Sequence, residues 1–164
     1  GEEHFSSATL LMGSGTTGKL VSEVKKQLKE ASEDCELAIL DGSPGIGCPV
    51  IASLSGVDLA LMVAEPSLSG LSDLKRVIAS ARVLQVPVAV MVNKYDMNER
   101  ITKAIEAYCL EEGILFVGTI PYDKQAVKAI NEGKTLVDIE SKGSSAMIAI
   151  YKRTLQIIKE RRCV

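Results

Sequence analysis

The sequence predicts an α/β fold, a doubly wound and mostly parallel sheet with helices on both faces. Three observations carry this. Almost wholly apolar runs of strand length alternate with amphipathic stretches of helical period, the pattern of repeated βα units. Trp is absent and aromatics make up 4% of the chain, so Val, Ile, Leu, Ala and Met must fill the core, as suits a sheet buried on both faces. The 164 residues suffice for one core, and no linker, repeat or low-complexity run divides them.

Taken in order, Ala8–Met12 is expected as a short strand and Gly18–Ala31 as a helix. That helix buries Leu20, Val21, Val24 and Leu28 and turns its lysines outward. Leu37–Leu40 is expected as the first strongly buried strand. The run Asp58–Ala64 should form the next, followed by a helix over Leu71–Leu84 with Ser69 or Ser72 as its cap. Pro87–Asn93 should be another buried strand, and Ile101–Glu112 a helix closed by Gly113. Ile114–Ile120 completes the strands, stopped by Pro121. A short helix over Asp123–Asn131 and a long one over Ser144–Arg161 close the chain. The long one is expected to bury Met147, Ile148, Tyr151, Leu155 and Ile158 and to leave the basic face of Lys152–Arg162 in water.

Composition narrows the function. A net charge of −2 calls for no nucleic-acid or membrane-surface partner, and the basic face of Lys152–Arg162 is expected to be simply solvated. No apolar run is long enough to span a bilayer. The four cysteines are scattered, with no C-x-x-C pair, which fits free thiols in a reducing cytoplasm; Cys48 is expected as a small buried filler, a reactive thiol being the alternative. His4 is the one histidine, so no Ser-His-Asp or zinc constellation can be assembled.

Five stretches bear on chemistry. In Glu36–Gly47 an apolar strand ends in Asp41 and breaks into a loop with three glycines and a proline. A carboxylate at the carboxyl edge of a parallel sheet, followed by such a loop, suits a magnesium and phosphate-sensing site; the alternative is a tight turn with Asp41 as a cap. Gly13–Leu20 nearly matches a phosphate-binding loop, but Leu20 replaces the hydroxyl that would hold magnesium. A glycine-rich turn opening a helix, with Lys19 in solvent, is the expected outcome. Asn93-Lys94-Tyr95-Asp96 fits the N-K-x-D pattern of GTP-binding proteins. Asp96 would accept from a guanine ring and Asn93 would hold the purine edge, although Asn93 can equally meet adenine and Asp96 can cap the next helix. Ile120-Pro121-Tyr122-Asp123 ends at the same edge, where Pro121 can pack on a purine and Asp123 can touch the base or cap a helix. Glu65–Gly70, at that edge too, reads either as a contact for a neighbouring subunit or the switch loop, or as a serine-capped turn.

Together, Asp41–Ser53, Glu65–Leu74, Val92–Asp96 and Ile120–Asp123 resemble, in order and spacing, the MinD/Mrp/ParA P-loop ATPases of the SIMIBI-like fold. The likeness is to the branch carrying a ferredoxin-like iron–sulfur insertion. It implies an ATP-dependent switch in which Asp41 holds magnesium through water and Gly42, Pro44 and Gly45 belong to the loop that senses the γ-phosphate. Asn93, Pro121, Tyr122 and Asp123 would line the adenine pocket. The resemblance further implies a homodimer with nucleotide near its interface. It implies that this chain is the carboxyl-terminal portion of a longer ATPase, without the Walker A lysines and cluster cysteines and weak or inactive by itself. A GTP-binding protein using Asn93–Asp96 and a non-catalytic interaction domain are the two other readings.

Overall fold

Buried β-branched residues dominate the strand Val88–Asn93, in which Ala89, Val90, Met91 and Val92 are all buried. A strand with both faces covered can only lie inside a sheet. In the computed structural model, which describes residues 5–7, 17–31 and 36–162, it lies between two parallel neighbours. With β1 as Ala60–Ala64, β2 as Val88–Asn93 and β3 as Leu115–Ile120, the sheet order is β1-β2-β3. Ala60 pairs with Val88 and Ala64 with Val92, while Ala89 pairs with Leu115 and Asn93 with Ile120. The expected α/β class and parallel sheet are therefore present.

The helices are α1 (Thr17–Ala31), α2 (Cys48–Leu54), α3 (Leu68–Val83), α4 (Glu99–Glu111), α5 (Lys124–Asn131) and α6 (Lys142–Arg162). One face of the sheet packs on α3 and α4 through Ala64, Leu74, Ile78, Val90, Val92, Ile101, Ile105 and Cys109. A neighbouring cluster of Val50, Leu54, Ala60, Ala81 and Val86 brings in α2. The opposite face packs on α6, where Ile150 meets Ala89, Met91, Val117 and Ile120.

Gly118 makes that last contact possible. The β2–β3 register is irregular between Val90 and Met91, and Gly118 sits there at φ 149°. An added Cβ would stand 3.0 Å from Ile150 Cγ1, so a side chain is excluded both by its dihedral and by α6.

Several expectations are corrected. Leu37–Leu40 forms no strand: the segment is irregular, and Leu37 and Ile39 are 37% and 75% exposed. A strand apolar on both faces is held by its ladder, and among the described residues none pairs with this one. Its Ala38 and Leu40 instead line a groove of about 610 Å³ with Lys25, Leu28 and Lys29 of α1. Ala8–Met12 and the first part of Gly13–Leu20 lie outside the described residues. Gly18, Lys19 and Leu20 are in α1, and Gly18 lies so close to α2 that a Cβ would meet Cys48 Cβ at 3.3 Å. The cap of α3 is Ser67, not Ser69 or Ser72: its Oγ accepts from the Gly70 amide at 2.9 Å. In α6 the inward face is Ala146, Ile150 and Ile157, whereas Met147, Ile148 and Tyr151 are exposed. No described helix is long and apolar enough to cross a membrane.

The two described thiols differ. Cys48, expected inside, is exposed, and Cys109 is fully buried. Burial pushes the Cys109 thiol from 9.0 up to about 11, because a thiolate there would lose its water; the Glu106 charge adds to this. Iodoacetamide at pH 8 is expected to alkylate Cys48 well before Cys109, as read by peptide mass spectrometry; equal rates would contradict this packing. The raised folded value also fixes a sign. Stability from the buried thiol is intact below pH 9 and falls as pH climbs through about 11.

Candidate functional site

Parallel strands bring their carboxyl ends to one edge, and the three loops that leave it are joined by polar contacts. After β1, the Ser67 amide donates to the Glu65 carbonyl at 2.8 Å, which turns the chain sharply into α3. The Glu65 carboxylate is thereby free to reach the loop after β2, where it accepts from Lys94 Nζ at 2.6 Å. Lys94 itself has φ 53°, in the left-handed region, and opens a 3₁₀ turn over Tyr95–Met97. Its pKa is raised, first by the hydrogen bond to Glu65 and then by that carboxylate's charge. Both side chains are well exposed, so the pair matters for geometry more than for stability.

Asp96 reaches the other way. Its Oδ1 accepts from the Tyr122 amide at 2.7 Å, tying the loop after β2 to the loop after β3. The cap expected of Asp96 belongs to Asn98, whose Oδ1 accepts from the Ile101 amide at 3.2 Å. Thr102 holds the turn from below, with Oγ1 donating to the Tyr95 carbonyl at 2.9 Å.

Asp123 is structural as well as central. Its Oδ1 accepts from the Gln125 amide at 2.9 Å to start α5, and its Oδ2 accepts from the Gly143 amide at 3.3 Å at the start of α6. A hydrogen bond from Ser141, then those amides, hold its carboxyl below the usual aspartate value. The two helix starts are therefore tied while Asp123 is ionised, and the tie loosens as pH falls through its lowered pKa.

Asn93 stands at the end of β2, half-buried, and among the described residues its carboxamide has no hydrogen-bond partner. Pro121 is half-buried and Tyr122 exposed beside it in sequence. Asn93, Pro121, Tyr122 and Asp123 thus gather at one edge, as their order along the chain suggests.

Asp41, Gly42, Pro44 and Gly45 are a separate group. All four are exposed, and Gly45 has φ 96°. The loop lies against α2, where a Cβ on Gly42 would meet Ser53 Cβ at 4.0 Å. Among the described residues Asp41 makes no ion pair or hydrogen bond, and no polar contact links this loop to the Asn93–Asp123 edge. No cluster of three His, Cys, Asp or Glu capable of holding a metal occurs among them either. A single carboxylate is still a fitting donor for magnesium, which keeps most of its water.

Sequence reasoning missed Lys25. Its ammonium donates to the Ala52 and Ser53 carbonyls, both at 3.2 Å, and to Ser55 O, closing the carboxyl end of α2. Burial lowers its pKa. On sequence it is one lysine among several on α1, and α2 itself is too short to announce a partner for it.

No family model matches the chain. An uncharacterized protein of Methanocaldococcus jannaschii is 30% identical over 149 residues, covering 91% of this chain and 50% of that protein. The iron-sulfur cluster carrier protein of the same organism is 23% identical over 142 residues, covering 79% of this chain and 49% of its own. The cell division ATPase MinD of Pyrococcus furiosus superposes with a TM-score of 0.68 at 20% identity, over 85% of this chain and 59% of MinD. The chain spans about half the length of the curated relatives it matches.

Proposed function

We propose that this chain, which shares the fold of MinD, is the base-holding and switch-bearing part of an ATP-dependent switch of the MinD/Mrp/ParA type. The observation that carries the reading is the carboxamide of Asn93, without a hydrogen-bond partner among the described residues, half-buried where β2 ends and next to loops fixed by their own polar ties. A carboxamide offers a donor and an acceptor side by side, the pair that the edge of adenine complements. Pro121, Tyr122 and Asp123 would line the pocket beside it, with Asp123 also starting α5 through the Gln125 amide.

Asp41 would hold magnesium through water, and Gly42, Pro44 and Gly45 would follow the γ-phosphate. When bound, the ion would offset phosphate charge. A carboxylate that is exposed and unpaired among the described residues suits that task, and an exposed glycine-containing loop can move without breaking a core contact. Turnover by the 164-residue chain is expected to be weak or absent, because Leu20 stands where the near-match Gly13–Leu20 would need a hydroxyl to hold magnesium. A second copy of the chain as partner, a cytoplasmic setting, and an iron–sulfur cluster held elsewhere in a longer protein belong to the same proposal.

Thermal denaturation with Mg-ATP tests it. At about ten times its dissociation constant a ligand adds roughly 1.4 kcal/mol, a rise of about 3–6 °C for a domain of this size. Asn93→Ala should erase that rise while leaving the midpoint without nucleotide within about a degree. A rise that survives Asn93→Ala, or no rise with ATP at any concentration, would reject the base site.

A further inference from the structure

The segment Asn93-Lys94-Tyr95-Asp96 reads by pattern as a guanine-recognition motif, yet the structure gives its two charged residues other employment. Lys94 is drawn to Glu65 beyond β1, and Asp96 to the Tyr122 amide beyond β3. Guanine recognition by a carboxylate uses both oxygens at once, one for the ring N–H and one for the exocyclic amine. With Oδ1 already accepting at 2.7 Å from the main chain, a base bound in that paired geometry would have to share this oxygen with the Tyr122 amide. The bond is charge-assisted, hence among the stronger ones a backbone amide can make.

We propose that Asp96 is a positioning residue. Its carboxylate holds the Pro121–Tyr122 turn through the Tyr122 amide and, with Lys94 on the other side, makes the motif a clasp across three strand ends. Thr102 fixes the clasp to α4 through the Tyr95 carbonyl, and Asn98 starts that helix one turn later, so Asp96 is not needed as its cap. The consequence for specificity rests on the base site proposed above: a turn held at this height selects the ligand by shape and by Asn93. Asp96 then reads no part of the base.

Two measurements on the 164-residue chain decide it, and they fail separately. The first is amide hydrogen exchange by NMR, with the Val90 amide as the reference for global opening. Asp96→Ala should speed exchange at Tyr122 by about tenfold beyond any change at Val90. Asp96→Asn should remain within a few-fold of wild type, since an amide oxygen can accept the same bond. No acceleration in Asp96→Ala, or acceleration as great in Asp96→Asn, would overturn the clasp. The second is competition of ATP, GTP and xanthosine triphosphate for the chain. A carboxylate that reads guanine, once made an amide, turns toward xanthine, whose added oxygen accepts where guanine donated. The proposal expects Asp96→Asn to leave the order of the three nucleotides unchanged, and a gain for xanthosine triphosphate would overturn it. Should no nucleotide bind to any variant, the base site falls while the exchange measurement still judges the clasp.

Discussion

Ile105→Ala is expected to lower the unfolding free energy by about 3 kcal/mol, within the range of roughly 2–5 kcal/mol for emptying a packed aliphatic site. Ile105 is fully buried and lies in the cluster that joins α4 to Ile78 of α3 and to Val90 and Val92 of β2. Close packing on all sides leaves no neighbour able to collapse into the gap without leaving its own rotamer well. Against a total stability of about 5–15 kcal/mol for a domain of ordinary size, such a loss is large. Urea denaturation followed by circular dichroism would measure it. The control is Ile130→Ala on α5, 69% exposed, expected to cost under about 0.5 kcal/mol. Equal losses at the two positions would mean that the core has been misplaced.

Gly70→Ala should be nearly as costly, at about 2 kcal/mol, for a different reason. Gly70 lies in the first turn of α3, and a Cβ there would come within 2.5 Å of the Glu65 carbonyl oxygen and 3.0 Å of Ser67 Oγ. The first obstacle is main chain, so no side-chain rotation relieves it, and overpacking of this sort costs roughly 1–3 kcal/mol. The same shift would pull at the Ser67 cap and at Glu65, whose carboxylate holds Lys94. A fold defect at Gly70 should therefore reach the nucleotide edge. The midpoint in urea should fall, and any rise in melting temperature given by Mg-ATP should shrink with it. If Gly70→Ala matches wild type in both, the tight turn after β1 is not as described.

What could be read from the sequence follows from where each signal resides. β2 and β3, with α3 and α4 against them, are set by apolar runs and periods within a few residues, and they appear within a few residues of their expected ends. Leu37–Leu40 has the same local character as β2 but no ladder among the described residues, because a strand is made by its neighbours as much as by its own side chains. The inward face of α6 differs from its expected one for a related reason. Met147, Ile148 and Tyr151 offer the bulkier stripe, but the relief at Gly118 admits Ile150, and this sets the rotation of the helix. At the site, the positions of Asn93, Pro121, Tyr122 and Asp123 were legible because strand ends dictate them. Their hydrogen bonds were not. Whether Asp96 or Asn98 caps α4 depends on the distance from Asp96 to Tyr122, 26 residues away, which no local pattern encodes.

β1 pairs with β2 alone among the described residues, and Val63 on it is 61% exposed, with Leu61 two positions before it. An apolar strand left unpaired on one side among the described residues is a template for adhesion between molecules. Concentrated solutions of the isolated chain should cloud on warming before the core melts, and a charged residue in place of Val63 should delay the turbidity. Storage and crystallisation of this polypeptide would then be governed by one outer ribbon more than by its net charge.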